Sequence, residues 1–405
     1  MFAKFTREMK ETHTILIPTM IEPHFTFMAQ VIRAEGYKCE VLSPELENIG
    51  EEGLKYVHND MCYPALLVIG QFIKAIKSGA YDTDKVALLI TQTGGGCRAS
   101  NYITLLRKAL ENSGLEHIPV ISLNFGSLDE NAFSLSKKSL IRLFYAIYYG
   151  DLIMTLYNQC ISYERTSGAT QDAYDECVRY VCERVGKWSF YRLSHNVKFA
   201  LSKFGAISRD SQPKVRVGIV GEIYLKYSPL GNGFLSQYLV SKGAEVVNTG
   251  LLDFILMCIY DEVFDTKIYG IKSKTAKWAR LIALAVQNRQ ERIISLIRRH
   301  GKFRAPTPFG EVIGMADGII SHGVKMGEGW LLTAEMAEFA RTGVKNILCV
   351  QPFGCLPNHI IARGMIRKVK EKYQDVNIIS IDYDISASRV NQENRINLML
   401  QTARA

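Results

Sequence analysis

The chain has 405 residues, 47% hydrophobic and 22% charged, with nine cysteines and a formal net charge of +9. That length fits two or three domains of roughly 150 residues each, and the composition excludes a disordered chain and a small disulfide-stapled module. No apolar run follows the charged N-terminus, and the longest one, over 251–260, is broken by Asp253 and falls short of the about 20 residues a membrane helix needs, so a cytoplasmic protein with no membrane association is expected.

In chain order, a short apolar strand over 14–18 precedes a helical pattern over 25–35 that stops at Gly36, a residue suited to a helix end. A strand over 38–42, a helix over 64–78, an apolar strand over 86–90, a helix over 99–112 and a strand over 120–123 follow. Strands alternating with helices predict a parallel sheet covered on both faces, forming a first lobe over 1–127. From 128 to 211 helical periodicity takes over and predicts a connecting segment. The second lobe, 212–405, opens with a strand over 215–221, then a helix over 233–242 and a strand over 245–248. A basic helical insertion at about 254–305 precedes a helix near 333–341, a strand over 346–350, a helix over 357–373 and a last strand over 376–382. The expected fold class is α/β, with two Rossmann-like parallel-sheet lobes joined by a helical segment.

The insertion carries the charge excess: residues 267–304 hold eleven Lys and Arg against one acid, Glu291. With few aromatics and no nucleic-acid-binding signature, it does not read as a nucleic-acid face. It is either a solvated helical face or a surface for an acidic partner, with Lys272, Lys274 and Lys277 as the docking candidates.

Three cysteines share one local setting. Cys62 directly precedes the helix that begins at Pro64, Cys97 lies between the strand ending at Ile90 and the helix beginning at Ala99, and Cys355 lies between the strand ending at Val350 and the helix beginning at Pro357. A helix N-terminus offers free N–H groups and partial positive charge, which favours thiolate over thiol. In a parallel α/β sheet it also lies at the carboxyl edge of the strands, where ligands bind. Three such thiolates can converge on one metal centre, and many backbone donors suit an iron–sulfur cluster. Gly94, Gly95 and Gly96 would let the main chain approach it closely. The other reading is two buried cysteines and one incidental loop thiol, because no Cys-x-x-Cys is present. The triple glycine lacks the Gly-Lys-Ser/Thr ending of a P-loop.

Of the remaining cysteines, Cys39 and Cys258 sit in apolar runs and are expected in the core, Cys177 and Cys182 do not face one site on a helix, and Cys160 is the best spare ligand. Arg98 can pair with a carboxylate or a phosphate. Glu222 and Glu328 can act as bases or cap helices. His359 can donate a proton or serve as an ordinary cap-region residue, and Asp382 and Asp384 end the last strand.

Taken as a set, Cys62-Tyr-Pro-Ala-Leu, Gln92-Thr-Gly-Gly-Gly-Cys-Arg, Gly221-Glu-Ile-Tyr and Pro352-Phe-Gly-Cys-Leu-Pro resemble the 2-hydroxyacyl-CoA dehydratase family over most of the chain, less so over 128–211 and the basic insertion. The resemblance implies two lobes with a [4Fe–4S] cluster in the cleft between them, held by Cys62, Cys97 and Cys355 with one iron left open. It implies an ATP-dependent activase as partner, which injects a low-potential electron, and a CoA thioester substrate that loses its 2-hydroxyl through a ketyl radical. It also implies a homo- or hetero-dimer. A related branch carries a double-cubane iron–sulfur cluster and reduces small molecules, and a non-catalytic electron carrier is a further alternative. The chain is not close to either subunit of the heterodimeric dehydratases, and their substrate pocket has no counterpart legible here.

Overall fold

The computed structural model describes residues 2–44, 47–58, 60–91, 96–123, 132–271 and 275–404. It contains two four-stranded parallel sheets. The first comprises β1 (Thr14–Ile17), β2 (Lys38–Val41), β3 (Val86–Thr91) and β4 (Val120–Leu123), in the order β2-β1-β3-β4. The second comprises β5 (Arg216–Gly221), β6 (Glu245–Asn248), β7 (Asn346–Pro352) and β8 (Asn377–Tyr383), in the order β6-β5-β7-β8. The two orders are the same topology written twice, although no residue-level repeat is visible. The inner strands are apolar runs because helices cover both of their faces: Val86 to Ile90 are all buried, as are Val217 to Gly221.

Between the sheets in sequence lie the helices Lys137–Ile161, Ala169–Cys182 and Leu193–Gly205. The basic insertion is a pair of antiparallel helices, Leu251–Tyr269 and Ala276–His300, tied by hydrogen bonds from Gln290 Nε2 to Asp253 Oδ1 at 2.8 Å and from Tyr260 Oη to Gln287 Oε1 at 2.9 Å. Lys272 and Lys274 lie outside the described residues. No described helix is long and apolar enough to cross a membrane.

Several elements differ from the sequence reading, among them short helices at Ile49–Leu54, Ile223–Tyr227 and Phe309–Met315 that it did not include. The helix expected over 357–373 breaks into Leu356–Ile361, a 3-10 turn Arg363–Met365 and Ile366–Lys372. At the break the Thr333 hydroxyl donates to the Ile361 carbonyl, and Ala362 is fully buried. The helix expected from 333 begins four residues earlier, as Gly329–Arg341. The C-terminal helix Arg389–Arg404 was not anticipated, because its buried contacts come down to Ile396, Met399 and Leu400 on an otherwise polar segment.

The helix that starts beside Cys62, Tyr63–Lys77, crosses the short helix Ile49–Leu54 at backbone distance. A Cβ on Gly70 would lie 2.1 Å from the Ile49 carbonyl oxygen, and one on Gly53 would lie 2.2 Å from that of Leu66. Backbone cannot yield there as a flexible side chain would. Gly70→Ala is therefore expected to cost about 1–3 kcal/mol of stability, as overpacked cores do, read as a lower urea midpoint at unchanged m-value.

Candidate functional site

Each of the three cysteines is an N-cap residue in extended backbone. Cys62 caps Tyr63–Lys77 and Cys355 caps Leu356–Ile361, both with proline in the first turn, while Cys97 precedes the 3-10 turn Arg98–Asn101 that leads into the helix Tyr102–Asn112. None of the three thiols makes a well-aligned capping hydrogen bond, though main-chain N–H groups at Ala65, Ala99 and Asn358 lie close enough to favour the thiolates in part, and all three also face neighbours beyond their own helices. All three are partly buried.

Those neighbours are shared. At the end of β5 the chain turns at Gly221, with φ +141°, where a Cβ would lie 1.9 Å from the Val350 carbonyl oxygen. Glu222 follows and caps the helix Ile223–Tyr227, its Oε2 accepting from the Leu225 N–H at 2.9 Å. Glu328 reaches the same helix end from the loop before Gly329–Arg341. Its Oε1 accepts from the Ile223 N–H at 2.9 Å and its Oε2 from Asn358 Nδ2 at 3.0 Å. Asn358 Nδ2 also lies 3.5 Å from Cys355 Sγ. The Glu328 loop touches the Cys97 loop on one side and the Cys355 helix on the other: a Cβ on Gly96 would meet Met326 Sδ at 2.5 Å, and one on Gly327 would meet Pro357 at 3.1 Å. Tyr102 ties the first two cysteine elements together, with its hydroxyl 2.8 Å from Cys62 Sγ.

Burial dominates the electrostatics. It pushes the Cys62 thiol up to about 11 and that of Cys355 up to about 12, and it raises Cys97 as well. The Glu222 carboxylate adds to the rise at all three, Glu328 adds at Cys97 and Cys355, and Cys97 adds at Cys62. This corrects the expectation of thiolates. Desolvation and two nearby carboxylates outweigh the helix ends, two of which belong to elements of only four and six residues. A metal must therefore displace protons to bind here. Glu222 and Glu328 are themselves raised, first by burial; for Glu222 the next cause is Glu328. Two carboxyls on one helix end, Glu328 buried and Glu222 half-buried, resist ionising together.

The other candidates fall around this group. Arg98 is exposed and its guanidinium donates to the Asp60 carbonyl, so it links the Cys97 and Cys62 loops. His359 is half-buried on Leu356–Ile361, its Nδ1 facing Gln351 Nε2 at 3.4 Å; that amide also donates to Asp382 Oδ1 at 2.6 Å. It thus sits at the carboxyl ends of β7 and β8, with no hydrogen bond from its ring to a thiol among the described residues. Gly94 and Gly95 lie outside the described residues. Cys39, Cys177 and Cys349 are core. Cys160, the spare ligand, is core too, inside Lys137–Ile161 with Sγ 3.9 Å from the Phe204 carbonyl. Cys258, expected in the core, is instead exposed on Leu251–Tyr269. The sequence reading also missed Tyr102 and Asn358. For Asn358 the signal is position, three residues after Cys355, where one helical turn returns a side chain toward the cap; Tyr102 meets Cys62 from 40 residues away, and no local pattern signals it.

A row of buried acids runs back from the site along one helix face: Glu328, Glu335 and Glu338, spaced by seven and three residues. Burial raises Glu338 to about 7 in spite of a lowering hydrogen bond from Thr307 and with a smaller push from Glu335, and its Oε2 has no hydrogen-bond partner. The native carboxyl thus holds its proton at pH values where the unfolded chain has lost it. Its contribution is fully present below the unfolded value near 4.5 and is lost as pH rises through about 7. Glu338→Gln should flatten that fall and gain up to about 3 kcal/mol above pH 7, read by urea unfolding across pH 4 to 8.

Among the described residues, no three His, Cys, Asp or Glu side chains already form a group able to hold a metal ion. The three thiols are neighbours through shared contacts. Fold and site together define an α/β protein of two parallel sheets with N-cap cysteines and a carboxyl pair, Glu222 and Glu328, on one helix end. No family model matches the chain, and no curated protein matches it.

Proposed function

We propose that Cys62, Cys97 and Cys355 hold one iron–sulfur cluster in the cleft between the two sheet lobes. In this reading the chain receives a low-potential electron from an ATP-dependent activase and uses it in radical dehydration or reduction of a thioester substrate. One observation carries the reading: three cysteines from both lobes, each at a helix N-cap, lie around Glu222, with Glu328 beside two of them. The donor set fits. Thiolates are the ligands such clusters use, while Glu222 and Glu328 are already engaged with main-chain N–H groups and stand beside the sulfurs. A bound cluster supplies one-electron transfer and, at an iron without a protein ligand, Lewis acidity.

The chain's own residues have definite parts. The Tyr102 hydroxyl donates toward Cys62 sulfur, a contact of the kind that tunes a metal site from outside its ligand set. Glu328, held by Ile223 N and Asn358 Nδ2, keeps a protonatable carboxyl beside Cys355. A cavity of 330 Å³ opens between the lobes, lined by Asn48 and Tyr63 from the first and by Asn232, Tyr383, Asp384 and Arg389 from the second. Tyr63, which directly follows Cys62, is its one lining residue beside a proposed ligand, and in this reading the cavity is a candidate substrate entrance. The exposed Cys258, a further free thiol outside the core, supports a second reading, a larger double-cubane cluster and reduction of small molecules.

Iron and acid-labile sulfide per chain, measured on anaerobically purified protein, test the first step. About four of each are expected for one cubane and about eight for a double cubane, with an electron paramagnetic resonance signal after reduction. Protein that binds neither iron nor sulfide under reducing reconstitution ends both readings. Turnover of 2-hydroxyacyl-CoA esters with activase and ATP then separates an enzyme from an electron carrier.

A further inference from the structure

We infer that the outer flank of the insertion helix Ala276–His300 is a docking surface for a protein partner that presents an acidic amphipathic helix. The inference stands apart from the metal centre and holds whether or not a cluster binds. The inner face of this helix is committed: Ala283, Val286, Gln290, Ile293, Ile294 and Ile297 are buried. On the opposite face stand Trp278, Leu281 and Ile282, exposed by 69%, 57% and 49%, followed by Ala285. The spacing i, i+3, i+4, i+7 is that of a second helix-packing seam, and soluble proteins rarely expose such a stripe without using it. Ile268, Tyr269 and Ile271, also exposed, widen the apolar surface at the neighbouring end of the paired helix.

The stripe changes character along its length. Arg289 and Arg292 continue the same face, eleven and fourteen residues beyond Trp278, so an apolar half gives way to a basic half over about 21 Å. Arg292 is set against Leu193–Gly205 by a 2.7 Å hydrogen bond from its Nε to Ser194 Oγ, which makes the basic half a fixed wall. Lys277 and Arg280 flank the apolar half, and Glu291 is the lone acid between 267 and 304.

This grading selects the occupant. A bilayer surface has no apolar-to-charged gradient along its plane. A second copy of the chain would lay its basic half on an apolar half if antiparallel, or arginine on arginine if parallel. A helix apolar over two turns and acidic over the next two matches both halves, and charge complementarity of this kind steers association and depends on salt.

The probe is a synthetic helical peptide with Leu at i, i+3, i+4, i+7 in one half and Glu on the same face of the other. It is titrated against the full chain carrying Trp188→Phe, which leaves the exposed Trp278 as reporter beside the buried Trp330. A saturable blue shift is expected, weakened about tenfold between low and high salt and lost in Leu281→Glu at unchanged circular dichroism and Tm. Arg289→Glu should weaken binding of the acidic peptide and permit binding of a peptide with Lys in place of Glu. No shift with the acidic peptide, or an equal shift with the Lys peptide on the Arg289 protein, overturns the inference. So does a shift with phosphatidylserine vesicles in place of the peptide, which would assign the surface to membranes. Self-association abolished by Leu281→Glu overturns it in favour of a second copy.

Discussion

Serine at Cys62, Cys97 or Cys355 is expected to strip anaerobically purified protein of most of its iron and sulfide, whereas Cys177→Ser should leave loading at the wild-type level. Changes merely around a metal site typically cost 10–100-fold in affinity, and losing one of three protein ligands should cost at least about that much. The usual objection, that a cysteine variant lost its metal by losing its fold, is answerable here. Each of the three residues is an N-cap, with main-chain N–H groups at Ala65, Ala99 and Asn358 within reach of a side-chain oxygen in its place. Serine is among the best N-cap residues and adds about 0.5–1 kcal/mol when its oxygen takes up a free N–H. The metal-free variants should therefore unfold at the same or a slightly higher urea concentration than the metal-free parent. Cys177 is the opposite case, buried on Ala169–Cys182 away from the site, where a hydroxyl costs packing and leaves iron untouched. Equal loading in all four variants would remove the metal assignment. A lowered urea midpoint in the metal-free Cys97→Ser chain would assign that thiol to the core instead.

How much of this was legible beforehand follows from which interactions are local. The strands were readable because Val86 to Ile90 and Asn346 to Val350 are apolar runs between helical periods, and a parallel sheet buries both faces of such runs. The N-cap placement of the three cysteines was readable for the same reason: Pro64 and Pro357 mark helix starts within two residues of Cys62 and Cys355. What surrounds them was not. Glu328 meets Ile223 from 105 residues away and Asn358 from 30, and nothing in the local pattern of Met326-Gly-Glu-Gly says which helix end that loop will cap. The thiol protonation state was misjudged because a helix-end rule is local whereas desolvation belongs to the assembled site. Cys258 was misplaced because the segment over 251–260 is apolar on all sides, so its composition does not say which face stays open.

The second large effect should appear at Lys226, where methionine is expected to cost about 3–5 kcal/mol of unfolding free energy, the range for breaking a buried ion pair by removing one partner. Lys226 Nζ lies 2.7 Å from Glu335 Oε1 with both side chains 5% exposed, and Thr249 Oγ1 joins the pair. Lys226 is the single buried Lys or Arg among the described residues, while Glu328, Glu335, Glu338 and Asp253 are all buried acids. Removing the ammonium thus leaves a row of carboxyls without its one internal counter-ion. Restoring charge balance should recover most of the loss: Lys226→Met with Glu335→Gln should come within about 1 kcal/mol of the parent, and with Glu335→Met should match it, since well-packed apolar replacements of buried pairs are often neutral. A double-mutant cycle in urea, with the m-value held constant, measures this. The pair also bears on the site. Lys226 sits on the short helix capped by Glu222, and Glu335 lies two turns beyond Glu328, so their bond joins the two elements that present the carboxyl pair. If it serves that purpose, the charge-balanced double variants should regain stability and still bind less iron than the parent. If they recover both together, the ion pair contributes nothing to the site beyond keeping the chain folded.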